Sequence, residues 1–237
     1  MDVRVLIDNV SRNPVVTDPS DLPSDDRLRS LYGPPRLPWL RVNMISTLDG
    51  AATGAGGKSG DINNSADKRV FDTLRALADV IVVGAGTARI EEYGVASAPI
   101  AVVSRRAEIP AGLREAPTGK VILVTCARAD GLPTSREMLG EDQVIVVGDD
   151  AVDLRRMRAE LVDRGFQNLH SEGGPHLLAD LLASGVVDEL CVSVVPHLVS
   201  GPYPRIAVGP GVNIDLDLLL LLEGNGTLLG RWAVSAT

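Results

Sequence analysis

A chain of 237 residues with 45% apolar side chains is long enough to bury one sizeable α/β core. Its 31 acidic against 23 basic residues give a net charge of −8, with the cations scattered rather than gathered in a stripe, which argues against a nucleic-acid partner. No basic-then-apolar leader opens the chain, and the longest apolar run, residues 216–222, is short and carries Asp217, so a cytoplasmic protein without membrane contact is expected.

In chain order, residues 1–38 read as an irregular lead segment lying on the surface or on a partner subunit, with one short strand at 3–7. Asp18-Pro19-Ser20-Asp21 and Pro34-Pro35 are its breakers. From residue 39 a rhythm sets in. Short β-branched runs at 40–45, 80–83, 100–103, 121–125, 144–147 and 189–195 are apolar on both sides, as buried strands are. Helical periods separate several of them. Val70, Phe71, Leu74, Leu77 and Ala78 share a helix face opened by Asn64 or Ser65. Leu154, Met157 and Leu161 follow Asp153, while Leu177, Leu178, Leu181 and Leu182 run from Pro175 to Gly185. Runs at 216–223 and 227–234 flank Gly224-Asn225-Gly226, a hairpin signal. The fold class is therefore α/β: a mixed, mainly parallel sheet with helices on both faces and a C-terminal antiparallel hairpin, forming one domain over 39–237. Cys126 and Cys191 sit in apolar runs as core residues, and the three histidines have no metal-ligand spacing, so no metal is expected.

Two glycine turns carry the sharpest chemistry. The run 80–83 ends at Val83 and passes into Gly84-Ala85-Gly86-Thr87, where a ligand can approach the backbone closely. A dinucleotide fingerprint would want a third glycine at Arg89, so the loop alone reads equally as a tight turn. The second turn, Gly173-Gly174-Pro175-His176, enters a helix whose positive end suits a diphosphate. At the end of the run 100–103 stand Ser104, Arg105 and Arg106, where a 2′-hydroxyl reader would place an acid. Ser104 and Arg105 suit a 2′-phosphate, and hence NADPH over NADH, although a solvated arginine pair is the plainer reading.

The segments 42–50, 57–59, 74–79, 83–87, 172–175 and 187–196 resemble, in order, the reductase domain at the C-terminal end of bifunctional riboflavin-biosynthesis deaminase/reductases and its stand-alone pyrimidine reductase relatives. The resemblance covers residues 39–234. It implies a dihydrofolate-reductase-like fold, usually a homodimer, with NADPH as hydride donor to the ring-opened ribosyl imine of 5-amino-6-(5-phosphoribosylamino)uracil. By resemblance, Ile45, Thr87, Glu91 and the stretch Gly174, Pro175, His176, Leu177 and Leu178 fall where the family contacts cofactor. Ser59 and Arg75 fall where it holds substrate, and Glu172 lies on the substrate side of the Gly-Gly turn. The chain departs from the family at Glu91-Glu92-Tyr93-Gly94, where an Asp followed by Asp-Pro is usual, and at Asp61, where an aromatic residue is common. No deaminase signature is present, so a reductase alone is expected.

Hydride transfer to an imine needs positioning, exclusion of water and nearby charge rather than a protein nucleophile, so no catalytic side chain is singled out. Lys58, Asp61, Arg75 and Glu172 are the substrate-side candidates. Asp61 is the carboxylate placed against ring nitrogens by analogy with dihydrofolate reductases, its alternative being a turn or cap residue; Lys58 could hold a phosphate or be a solvated loop lysine. Three functions stay open: reduction of the ribosylaminopyrimidine phosphate, reduction of dihydrofolate or another pterin, and a catalytically silent NADPH-binding protein.

Overall fold

Alternating apolar residues decide the architecture. In β3 (Val80–Gly84), Val80 and Val82 enter one core while Ile81 and Val83 enter the other. The same division holds for Ile100/Val102 against Ala101 in β4 (Ile100–Val103) and for Val121/Leu123 against Ile122/Val124 in β5 (Val121–Thr125). A strand apolar on both sides has to be covered on both faces.

The computed structural model describes residues 3–10 and 23–235. Its ten strands form one sheet in the order β1-β9-β10-β8-β2-β7-β3-β4-β5-β6. The remaining strands are β1 (Arg4–Asp8), β2 (Trp39–Thr47), β6 (Val144–Val146), β7 (Asn168–Ser171), β8 (Glu189–Val195), β9 (Leu216–Gly224) and β10 (Thr227–Val234). From β8 through β6 every neighbour is parallel, whereas β1, β9 and β10 join antiparallel. The β9–β10 turn places Asn225 and Gly226 at positive φ, as a two-residue hairpin requires. The expected mixed, mainly parallel sheet is thus found.

Helices α5 (Leu154–Asp163) and α6 (Pro175–Ala183) cover one face with Leu154, Met157, Leu161, Leu177, Leu178 and Leu181. The other carries α2 (Ser65–Leu77), α3 (Ala85–Ile90) and α4 (Leu132–Leu139). The caps are those expected: Asn64 Oδ1 accepts the N–H groups of Ala66 and Asp67, and Asp153 Oδ1 accepts those of Arg155 and Arg156. No helix among the described residues is long and apolar enough to cross a membrane.

The lead segment departs from its irregular reading. The strand near 3–7 is β1, paired with β9, but residues 25–31 form a helix, α1 (Asp25–Leu31), with Leu28, Leu31 and Tyr32 buried against α2. Two apolar residues make a weak helical signal, and tertiary bonds supply the rest. Arg231 donates to the carbonyls of Leu31 and Gly33, and Arg41 to that of Tyr32, so two guanidinium groups cap the negative end of α1. Asp18-Pro19-Ser20-Asp21 lies outside the described residues.

Candidate functional site

The two glycine turns meet. Glu172-Gly173-Gly174 leaves β7, Gly84-Ala85-Gly86 leaves β3, and because these strands are neighbours the Gly84 N–H donates to the Gly173 carbonyl at 2.8 Å. The Gly173–Gly174 peptide is cis, and Gly173 has φ +73°. A side chain at Gly173 would put its Cβ 2.6 Å from Met44 Sδ, and one at Gly174 would strike Thr87 Oγ1. The glycines therefore bring two backbones and two helix starts, α3 and α6, against each other. They border a cleft of about 770 Å³ at the carboxyl ends of β2, β3 and β7. Ile45, Gly86, Thr87, Glu91, Gly174, Pro175 and His176 line it.

Across the cleft, α2 presents Asp67, Phe71 and Arg75 at successive four-residue intervals, which puts them on one stripe of the helix. Arg75 donates to Glu172 in a two-pronged pair, Nε to Oε1 at 2.6 Å and Nη2 to Oε2 at 2.7 Å. The Tyr93 hydroxyl also donates to Glu172 Oε2, and the Arg75 guanidinium lies over the Phe71 and Tyr93 rings at 4.5 and 5.5 Å. Burial raises the Tyr93 hydroxyl well above its ordinary pKa, reinforced by the Glu172 charge, so it stays a proton-bearing donor. Beneath Glu172, His170 Nε2 lies 3.6 Å from Oε1, and neither ring nitrogen has a hydrogen-bond partner among the described residues. Burial brings the imidazole down to about 4, with Glu172 opposing, so the ring is neutral at pH 7.

Several sequence-chosen residues are placed elsewhere. Asp61 does not line the cleft. Its side chain folds into its own loop, against Gly54 and Gly56, and accepts the Lys58 N–H at 3.4 Å, which is the turn role that was its alternative. Lys58 does not line the cleft but pairs at 2.8 Å with Glu92, which does, whereas Ser59 lines the cleft and donates its N–H to Glu91 Oε1 at 2.7 Å. Val83 and Ala85 pack into the core behind the first turn, and Leu177 and Leu178 belong to the core side of α6. Ser104 is buried, with Oγ accepting the Glu108 N–H, and Arg105 is exposed; both follow β4, whose Val103 pairs with Gly84.

The residue that the sequence reading missed is Asp67. It is 3% exposed, lines the cleft and bonds to Ser193, and burial raises its pKa against the effect of that bond. The clue was available: Asp67 stands three and seven residues before Val70 and Leu74, on the face that turns inward.

Fold and cleft together place the chain among α/β proteins that take small molecules at the carboxyl ends of parallel strands. Its affiliation is narrower: residues 38–224 match the RibD C-terminal domain, and the chain belongs to that family. A 2,5-diamino-6-ribosylamino-4(3H)-pyrimidinone 5′-phosphate reductase of Methanothermobacter thermautotrophicus is 33% identical over 211 residues, 82% of this chain and 94% of the relative. A reductase of the same name from Archaeoglobus fulgidus is 28% identical over 181 residues, 69% of this chain and 83% of that one. In structure, a pyrimidine reductase-like protein of Corynebacterium diphtheriae superposes with a TM-score of 0.74 at 22% identity, over 84% of this chain and 93% of that one.

Proposed function

We propose that the chain is an NADPH-dependent oxidoreductase that reduces a ribosylaminopyrimidine 5′-phosphate at its ring-opened ribosyl imine. The observation that carries this is the meeting of the two glycine turns on one cleft, with Arg75 reaching from α2 on the opposite wall to Glu172 beside the second turn. The named activity of the relatives supports the same reading.

The residues fit a dinucleotide. Where Cβ atoms at Gly173 and Gly174 would collide with Met44 and Thr87, their absence leaves peptide groups able to approach a diphosphate, and Thr87 and His176 supply polar side chains beside it. When bound, NADPH supplies the hydride. The chain's own part is positioning: Glu172 takes two guanidinium N–H groups and so fixes Arg75, leaving Nη1 for the substrate. Arg75 also keeps a positive charge where electron density rises on the acceptor. Ile45 and Phe71 bring apolar surface to the cleft and limit water. A homodimer in the cytoplasm accompanies this reading.

The test is NADPH consumption at 340 nm, run in parallel with the ribosylaminopyrimidine phosphates and with dihydrofolate. Multiple turnovers with a pyrimidine phosphate are expected. Consumption with dihydrofolate alone, or NADPH binding with no turnover, would replace this function by one of its two alternatives.

A further inference from the structure

Asp67 is a buried carboxylate on the cleft wall without a cation. Its one side-chain bond is to Ser193, and no arginine, lysine or histidine among the described residues forms an ion pair with it. The two buried glutamates of the sheet are compensated: Glu172 by Arg75, Glu189 by Arg41 and Arg231. An ionised carboxyl group accepts at about four lone-pair positions, and Ser193 occupies one. Left alone, such a group is costly to bury, so its natural complement is a ligand edge that offers hydrogen-bond donors. The Asp67 position favours a flat ligand: Asn43 lines the cleft as well, and the Phe71 ring stands one helical turn along α2.

Two pyrimidine phosphates compete for this place, and they differ on one edge. A 2-amino-4(3H)-pyrimidinone shows its ring N3–H beside an exocyclic amine, two donors side by side, spaced for the two oxygens of a carboxylate. A uracil shows the same N3–H beside a C2 carbonyl, which would set oxygen against oxygen. Resting on the pyrimidine-reductase reading above, the geometry points to Asp67 as the residue that selects the 2-amino pyrimidine over the uracil. The reduction then precedes removal of the 2-amino group. The class of reaction that consumes the product is a hydrolytic deamination, in which water supplies the oxygen at C2 and ammonia leaves.

Asp67→Asn tests this with almost no change of shape. An amide presents one acceptor and one donor, the complement of the uracil edge, so the preference should invert rather than merely decline. Wild-type protein is expected to favour 2,5-diamino-6-ribosylamino-4(3H)-pyrimidinone 5′-phosphate over 5-amino-6-(5-phosphoribosylamino)uracil by on the order of 100-fold in kcat/KM. In Asp67→Asn the ratio should fall below one, with NADPH affinity, read by fluorescence titration, unchanged. Equal use of both substrates by the wild type overturns the assignment even if the variant does not fold. So does a variant that loses both activities by the same factor. A wild type that reduces neither pyrimidine removes the underlying function, and this inference with it.

Discussion

Two arginine–glutamate clasps on the sheet are built on buried glutamates, and their difference separates architecture from function. Near the amino end of β8, Glu189 is 0% exposed and receives Arg41, Arg231, the Trp39 indole N–H and the Cys191 thiol. Their outer N–H groups are spent on the carboxyl end of α1. At the carboxyl end of β7, Glu172 takes Arg75 and Tyr93, but the Arg75 side chain is 31% exposed and borders the cleft. The first clasp is sealed from solvent, with both guanidinium groups about 1–2% exposed, and can only hold the protein together. The second keeps part of a guanidinium free and can meet a ligand. Charge and residue type are the same; what differs is whether the guanidinium reaches the cleft.

Breaking the closed clasp should have the largest effect. Glu189→Gln leaves two buried guanidinium groups facing a neutral amide, and loss of about 3–5 kcal/mol is expected from urea unfolding. A loss under about 1 kcal/mol would mean that water reaches Arg41 and Arg231, and the contrast between the two clasps would vanish.

His170, lying between them, comes next. The unfolded imidazole titrates near 6.5 and the buried one at about 4. As pH falls the unfolded chain takes the proton first, so the stability due to His170 is full above 6.5 and drains away between 6.5 and 4. The total is about 3 kcal/mol. In His170→Gln the slope of unfolding free energy across that window should flatten by this amount relative to wild type. Parallel slopes would show that the imidazole is hydrated.

For the open clasp the expected losses are reversed in kind. Glu172→Gln removes the anchor of Arg75 and should lower kcat/KM about 100-fold, with a stability change of only about 1 kcal/mol, because Arg75 reaches solvent. A variant as unstable as Glu189→Gln with unimpaired turnover would assign both clasps to architecture.

What the sequence disclosed follows the same division between local and distant causes. The strands, the hairpin and helices α2, α5 and α6 rest on local alternation, caps and turn residues, so they were legible. The two glycine turns were legible as turns, and their meeting followed once β3 and β7 were neighbours. Helix α1 was not, because its stability comes from Arg41 and Arg231, the latter 200 residues from its carbonyl partner. Among the carboxylates, fold analogy sets Asp61 against the pyrimidine ring, with Asn63 and Asn64 behind it favouring a turn or cap, and Gly54 and Gly56 give it a nest in its own loop. Asp67 was not singled out; its spacing from Val70 and Leu74 was the clue, and its bond to Ser193 of β8 holds it in the cleft wall.

The smallest expected effect concerns the rim, where neither clasp operates. Ser104 and Arg105 were chosen together as a 2′-phosphate site, but the structure divides their labour. Ser104 Oγ is engaged by the Glu108 N–H within a turn also tied to the Thr125 hydroxyl, so Ser104→Ala should trim stability and leave cofactor choice alone. Arg105 is exposed two residues beyond Val103, the neighbour of Gly84; its backbone carbonyl accepts the Cys126 thiol, and its side chain has no hydrogen-bond or ion-pair partner among the described residues. Its guanidinium is free to meet a phosphate, yet solvent screening at such a place holds the gain near 1 kcal/mol. Arg105→Ala should therefore lower the NADPH over NADH preference by about fivefold, and less at high salt. A preference that survives this change intact would move discrimination between the two cofactors away from the end of β4.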